Sequence, residues 1–131
     1  MIWLPPLLYA GLIFHFSSES QPMPALTASV WDKTLHAIEY AGLALLLCRA
    51  WRLEGAAWPL AMLLGVVVAS AYAATDEGHQ WFVRLRDANA LDWLADTVGA
   101  AFGVTIMWLV SPLMDRLDRH LVPSKHLGTW D

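Results

Sequence analysis

Apolar residues along this chain come in long unbroken runs, separated by short stretches that carry charge or proline, rather than recurring at the spacing of a single helix face. Four runs stand out: Met1 to Phe16 ("MIWLPPLLYAGLIFHF"), about Leu35 to Trp51, about Ala57 to Thr75, and about Leu94 to Pro112. A helix needs about 20 mostly apolar residues to cross a hydrocarbon core of about 30 Å, and shorter runs are accommodated by flanking residues or local thinning. The pattern therefore predicts an all-α fold, a four-helix transmembrane bundle. A soluble bundle would show a polar face on each helix, and "LAMLLGVVVASAYAA" shows none. The first run has no basic residue ahead of it and no small-residue cleavage site, so it reads as an uncleaved helix rather than a signal peptide.

The connections are short except for Ser17 to Thr34, where "SSESQPMPALTASV" is rich in serine and proline and reads as an exposed loop. Residues 1–112 form one four-span domain in this reading, and 113–131 a cytoplasmic tail. In that tail Met114, Leu117 and Leu121 recur at three and four residues, which suits either a short amphipathic helix on the membrane surface up to Pro123 or an unremarkable polar tail. Placing the N-terminus in the cytoplasm puts Arg49, Arg52, Arg116, Arg119 and Lys125 inside, five of the 8 basic residues, and leaves Lys33, Arg84 and Arg86 outside. Both termini are thus expected to be cytoplasmic, with the 17–34 and 75–93 loops facing away.

Polar residues enter the runs along stripes. Asp32, His36, Tyr40 and Leu43 share one face at the start of the second run, flanked by Lys33 and Glu39. Gly65, Ala69, Ala73, Asp76 and Gln80 form a ridge on the third, small residues first and polar ones last. The fourth carries Asp92, Asp96, Gly99 and Gly103 on one face, the last two a GxxxG pair suited to close helix contact. All three stripes have their polar members at the predicted outer end. Ionisable groups at membrane depth must face a bundle interior and pair there, so the acids are expected to converge with His36, Lys33 and Arg86 at the extracytoplasmic side, Trp81 and Phe82 at the rim. Taken singly, Asp76 could end the third helix at the interface and Asp92 could cap the fourth. His15 and His79 look peripheral, and His120 and His126 fall on the opposite side.

Composition agrees with the membrane reading: 57% of 131 residues are hydrophobic and 15% charged, and the mean hydropathy is +0.44. A net charge of -4 leaves no basic patch for nucleic acid. The single cysteine, Cys48, excludes an internal disulfide and a paired-cysteine metal site.

The segments "DKTLHAIEY", "DEGHQWFVRLR" and "LDWLADTVGAAFG", in that order, resemble the VanZ-like family of small bacterial membrane proteins, over roughly Phe16 to Gly103. The resemblance implies as characteristic residues Asp32, Lys33, His36 and Tyr40, then Asp76, Glu77, Gln80, Phe82 and Arg86, then Asp92, Asp96, Gly99 and Gly103. The chain departs from the family at Arg84-Leu85, where a Pro-Gly pair commonly precedes the arginine. The founding member is associated with low-level resistance to the glycopeptide teicoplanin, which implies a role in the cell envelope of a bacterium.

Two functions follow as expectations. In the first, the outer cluster binds the head group of a lipid, a glycan or a lipid-linked wall component, arginine contacting phosphate in a fork and carboxylates accepting hydrogen bonds from sugar hydroxyls. In the second, an enzyme acts on that class of molecule with Asp76 or Glu77 as general base, His36 as acid or base and Arg86 as charge stabiliser. No nucleophile motif stands out, and binding is the favoured reading. No cofactor is expected. A divalent ion on Asp76, Glu77, Asp92 and His36 is chemically reasonable for hard oxygen ligands. Transport is disfavoured because the middles of the runs lack ionisable groups for a relay.

Overall fold

The computed structural model describes residues 1–18, 30–83 and 89–121, with the backbone alone at 30–32 and 114–121. It holds four helices in the order α1 (Leu4–Ser17), α2 (Val30–Leu53), α3 (Trp58–Gln80) and α4 (Ala90–Leu121), with no strand among the described residues. Prolines open α1 and α3 in their first turns, where the missing N–H is an orphan donor anyway and the fixed φ suits the helix. The α2–α3 turn closes on Gly55 at φ 93. That left-handed conformation strains a residue with a Cβ, and it lets the Ala56 N–H return to the Trp51 carbonyl.

α2, α3 and α4 pack against one another, and α1 lies against α2 and α3. The stripes read from the sequence are the buried faces: Tyr40, Leu43, Leu47 and Cys48 from α2, Ala61, Ala69 and Ala73 from α3, and Ala100 and Val104 from α4 meet in one core. It is built largely from small side chains, so backbones approach closely. A Cβ on Gly99 would sit 2.6 Å from the Ala37 Cα, and one on Gly103 would sit 2.9 Å from the Ala41 Cα. The glycine pair of α4 therefore straddles an alanine pair of α2 with the same four-residue step. Gly65 repeats the device on α3, its Cβ position 3.0 Å from the Ala44 carbonyl oxygen.

By length and composition, α3 and Ala90–Leu113 of α4 can cross a membrane. Only 22% and 28% of their most apolar windows are buried in the bundle, the reverse of a soluble core helix. Leu63 and Val67 of α3 and Val98, Phe102 and Leu109 of α4 point outward, an apolar surface suited to lipid. α1, with 14 residues, is about 21 Å long and shorter than a bilayer core of about 30 Å. α2 is long enough at 24 residues but carries Asp32, Lys33, Glu39, Arg49 and Arg52.

The helix boundaries correct the sequence reading in two places. α4 begins at Ala90, a turn earlier than Leu94, and does not stop at Pro112 but continues to Leu121 as one helix. The tail residues Met114, Leu117 and Leu121 thus extend α4 rather than forming a separate surface helix. Proline inside a helix removes an N–H and leaves the carbonyl one turn back without its partner. Here that carbonyl belongs to Trp108, and the Ser111 hydroxyl donates to it at 2.8 Å, the kind of local repair that lets apolar helices tolerate proline.

Candidate functional site

Antiparallel packing brings the end of α1, the start of α2, the end of α3 and the start of α4 to one end of the bundle, and the polar residues of all four meet there. Lys33 forms an ion pair with Asp92 across α2 and α4. One turn further in, His36 Nδ1 lies 3.2 Å from Asp96 Oδ1, with Asp96 only 1% exposed. On α3, Gln80 donates to Asp76 Oδ2 and to the Ser17 hydroxyl of α1, each at 3.3 Å. Glu77 Oε2 accepts the Asn89 backbone N–H at 2.9 Å, which ties the start of α4 to the end of α3. Tyr40, 1% exposed, lies deeper, its ring 6.3 Å from that of Tyr72.

Asp76, Glu77, Asp92 and Asp96 are all buried. Asp76 does not end α3, since the helix runs on to Gln80. Asp92 is not the cap of α4. That role falls to Asn89, whose Oδ1 accepts the Leu91 N–H at 3.0 Å, a common arrangement for asparagine at a helix start. Asp92 is thereby left for Lys33. Asp76 Oδ1, Glu77 Oε1 and the Tyr40 hydroxyl are buried with no hydrogen-bond partner among the described residues. A buried polar atom without a partner is costly, so three at one end of one bundle are acceptors and a donor in waiting.

An open cleft of about 320 Å³ between the end of α3 and the start of α4 is lined by Glu77, Asn89, Gly78, Trp81 and Trp93. Trp93 is fixed by its indole N–H, which donates to the Ser70 carbonyl at 3.2 Å, while Trp81 and Phe82 project outward. His79 is outside the cluster, stacked on Phe14 at 4.8 Å, and His15 packs on Phe16.

At the other end, Trp3 donates to Glu54 and crosses Trp51 edge to face. Arg52 lies over the Trp58 ring there, and Arg49 is exposed. Among the described residues, Arg49 and Arg52 therefore lie at the end of the bundle opposite the acid cluster. Arg84 and Arg86, the side chain of Asp32, and the contact expected between Arg86 and the acids lie outside the described residues, as do Arg116, Arg119, Lys125, His120 and His126 as side chains.

Sequence reasoning missed Ser17, which carries α1 into the cluster, and Asn89, which caps α4 and holds Glu77. It also missed the Ser70–Thr97 hydrogen bond of 2.7 Å between α3 and α4. A signal existed for Asn89, an asparagine directly before an apolar helical run. None existed for Ser17, one of two adjacent serines at the end of an apolar run.

Fold and site together define a small all-helical membrane protein with a buried, acid-rich polar cluster at one end. A family model described as VanZ/LLP1 matches residues 5–111, and the chain belongs to this VanZ-like family. No curated protein and no solved structure matches it.

Proposed function

We propose that this VanZ-like protein spans the bacterial cytoplasmic membrane four times with both termini in the cytoplasm, and that its polar end faces outward to bind the head group of an envelope lipid, glycolipid or lipid-linked wall precursor. The observation that carries the reading is the cleft between Trp81 and Trp93. It leads from the tryptophans, residues that favour the membrane interface, to the buried carboxylate of Glu77. A concave site with apolar walls and a few convergent polar groups is the general form of a small-ligand site. Carboxylates accept hydrogen bonds from sugar hydroxyls or an amine, and Arg86 in the second family motif supplies a fork for phosphate. Arg49 and Arg52 at the opposite end fit the cytoplasmic preference of basic residues.

A second reading, an enzyme acting on the same class of molecule, is favoured by the His36–Asp96 pair. A buried carboxylate bonded to an imidazole fixes its orientation and tautomer, as a general base requires. Glu77, Asp76 and Arg86 are then the remaining candidate catalytic groups.

Native mass spectrometry of the detergent-purified chain tests binding. The expected result is a retained lipid or glycolipid whose occupancy falls in Trp81→Ala, an exposed position whose loss leaves the packing intact. A chain that carries only detergent and bulk phospholipid, unchanged by the substitution, overturns the binding reading. Conversion of an added envelope lipid to a product favours the enzyme.

A further inference from the structure

Three donors of different kinds converge in the cluster. His36, Glu77 and Asp96, from α2, α3 and α4, each offer a ligand atom, and these atoms lie within 4.8 Å of one another. All three residues are buried. Two further polar atoms nearby are buried without a hydrogen-bond partner among the described residues: Asp76 Oδ1, on a residue 5% exposed, and the Tyr40 hydroxyl, on a residue 1% exposed. Both lie close enough to Asp96 to interact electrostatically with it.

We propose that His36, Glu77 and Asp96 bind a divalent first-row transition-metal ion, zinc or manganese, with Asp76 as a fourth oxygen donor. The proposal goes beyond head-group binding and does not depend on it.

Charge favours an ion. Among the described residues Lys33 is paired with Asp92, which leaves Asp76, Glu77 and Asp96 around one imidazole. Each of these acids spends one oxygen on the protein: Asp76 on Gln80, Glu77 on the Asn89 N–H, Asp96 on His36. The remaining oxygens of Asp76 and Glu77 are buried with no hydrogen-bond donor among the described residues. Uncompensated carboxylates in a low-dielectric interior are strongly penalised, and a dication among them removes the penalty. Binding requires the donors to draw together. Donors about 2.1 Å from a tetrahedral ion stand about 3.4 Å apart, so a triad spread over as much as 4.8 Å closes by up to about 1.4 Å, and the Asp76 side chain turns in to join it. One imidazole with several carboxylates suits zinc or manganese better than calcium, which takes oxygen donors only, or magnesium, which retains most of its water. Gln80 and the Asn89 N–H, holding the second oxygens of Asp76 and Glu77, supply the outer hydrogen bonds that orient metal-binding carboxylates. The set differs from the one the sequence suggested by exchanging Asp92, which Lys33 occupies, for Asp96.

The test is metal retention by the full chain in detergent, stripped with chelator, incubated separately with zinc chloride or manganese chloride and desalted. About one ion per chain is expected, with affinity at least tenfold weaker in Glu77→Gln and Asp96→Asn and unchanged in the double control His120→Ala/His126→Ala. A thermal shift runs in parallel: the ion is expected to raise the unfolding temperature of the parent chain and not that of Glu77→Gln, a near-isosteric change that keeps the Asn89 contact available. Absence of both retention and shift with either ion overturns the proposal and means that the acids are kept neutral by protons. Retention equal in the parent and in both acid variants also overturns it, by placing the ion elsewhere. Co-purifying lipid is read separately by mass on the chelated chain, so failure of head-group binding and failure of metal binding are distinguishable.

Discussion

Gly99→Ala adds one methyl group where α4 lies against the backbone of α2. The new Cβ would stand 2.6 Å from both the Cα and the carbonyl carbon of Ala37, whereas carbon atoms in contact rest about 3.5–4.0 Å apart. Backbone cannot swing aside as a side chain can, so the two helices must separate by about 1 Å. A gap of that size forfeits a quarter to a half of the dispersion attraction of each affected contact. Overpacking of this kind costs about 1–3 kcal/mol, and alanine's better helix propensity returns about 1 kcal/mol, leaving a net loss of up to about 2 kcal/mol. Gly11 and Gly78 provide the control, because nothing lies within 4 Å of a Cβ at either position. There the same substitution keeps only the propensity gain and stabilises by up to about 1 kcal/mol. Gly103→Ala, 2.9 Å from the Ala41 Cα, falls between. The assay is reversible unfolding in mixed micelles followed by the fluorescence of the 8 tryptophans. If Gly99→Ala is as stable as Gly78→Ala, the close α2–α4 contact does not exist.

Asn89→Ala removes the cap of α4 and the side-chain bond to the Leu91 N–H; a loss of about 1 kcal/mol is expected, with faster hydrogen exchange confined to the first turn of α4. Tyr72→Phe deletes the 2.7 Å hydrogen bond from its hydroxyl to the Ala10 carbonyl, which fastens α1 to α3. It should cost about 1 kcal/mol and raise exchange across α1 while leaving α2–α4 protected. Ser111→Ala exposes the Trp108 carbonyl that Pro112 cannot satisfy and should cost about 1 kcal/mol, an effect that the double variant Ser111→Ala/Pro112→Ala should erase. Asp76→Asn keeps the shape of a buried side chain and removes its charge. The protein should accumulate normally in the membrane and lose any change in teicoplanin sensitivity that the parent confers, and an unaltered phenotype would make Asp76 structural.

The inward faces of the helices were legible because small and polar residues repeat at helical spacing against an otherwise apolar background. His36, Tyr40 and Leu43, then Gly65, Ala69, Ala73, Asp76 and Gln80, then Asp92, Asp96, Gly99 and Gly103, are all buried. Which face meets which was not legible. That Gly99 and Gly103 seat on Ala37 and Ala41 depends on the relative height of α2 and α4, and alanines among many alanines carry no mark. Helix ends were misjudged where a local rule was overridden: Pro112 suggests a stop, but a neighbouring serine and an apolar flank let α4 continue. Asn89, directly before an apolar helical run, carried a local cap signal that was passed over, whereas the pairing of Asp92 with Lys33, 59 positions away, leaves no local mark.

The glycine seam and the acid cluster are parts of one device. His36 directly precedes Ala37, and Asp96 stands three residues before Gly99 on the same face of α4. The contact that brings Gly99 onto Ala37 thus also sets the height and separation at which His36 faces Asp96. Their hydrogen bond is 3.2 Å, close to the upper limit for such a bond, so a separation of about 1 Å at the seam would break it. Small residues are what allow this placement. A leucine-lined interface would hold α2 and α4 at about 8–10 Å, the usual interaxial distance, and leave the imidazole and the carboxylate apart. Gly99→Ala should accordingly weaken zinc or manganese retention, although Gly99 carries no donor atom, whereas Gly11→Ala should leave it unchanged. A Gly99→Ala chain that keeps full metal affinity while losing stability would separate packing from chemistry and show that the cluster is positioned by α3 instead.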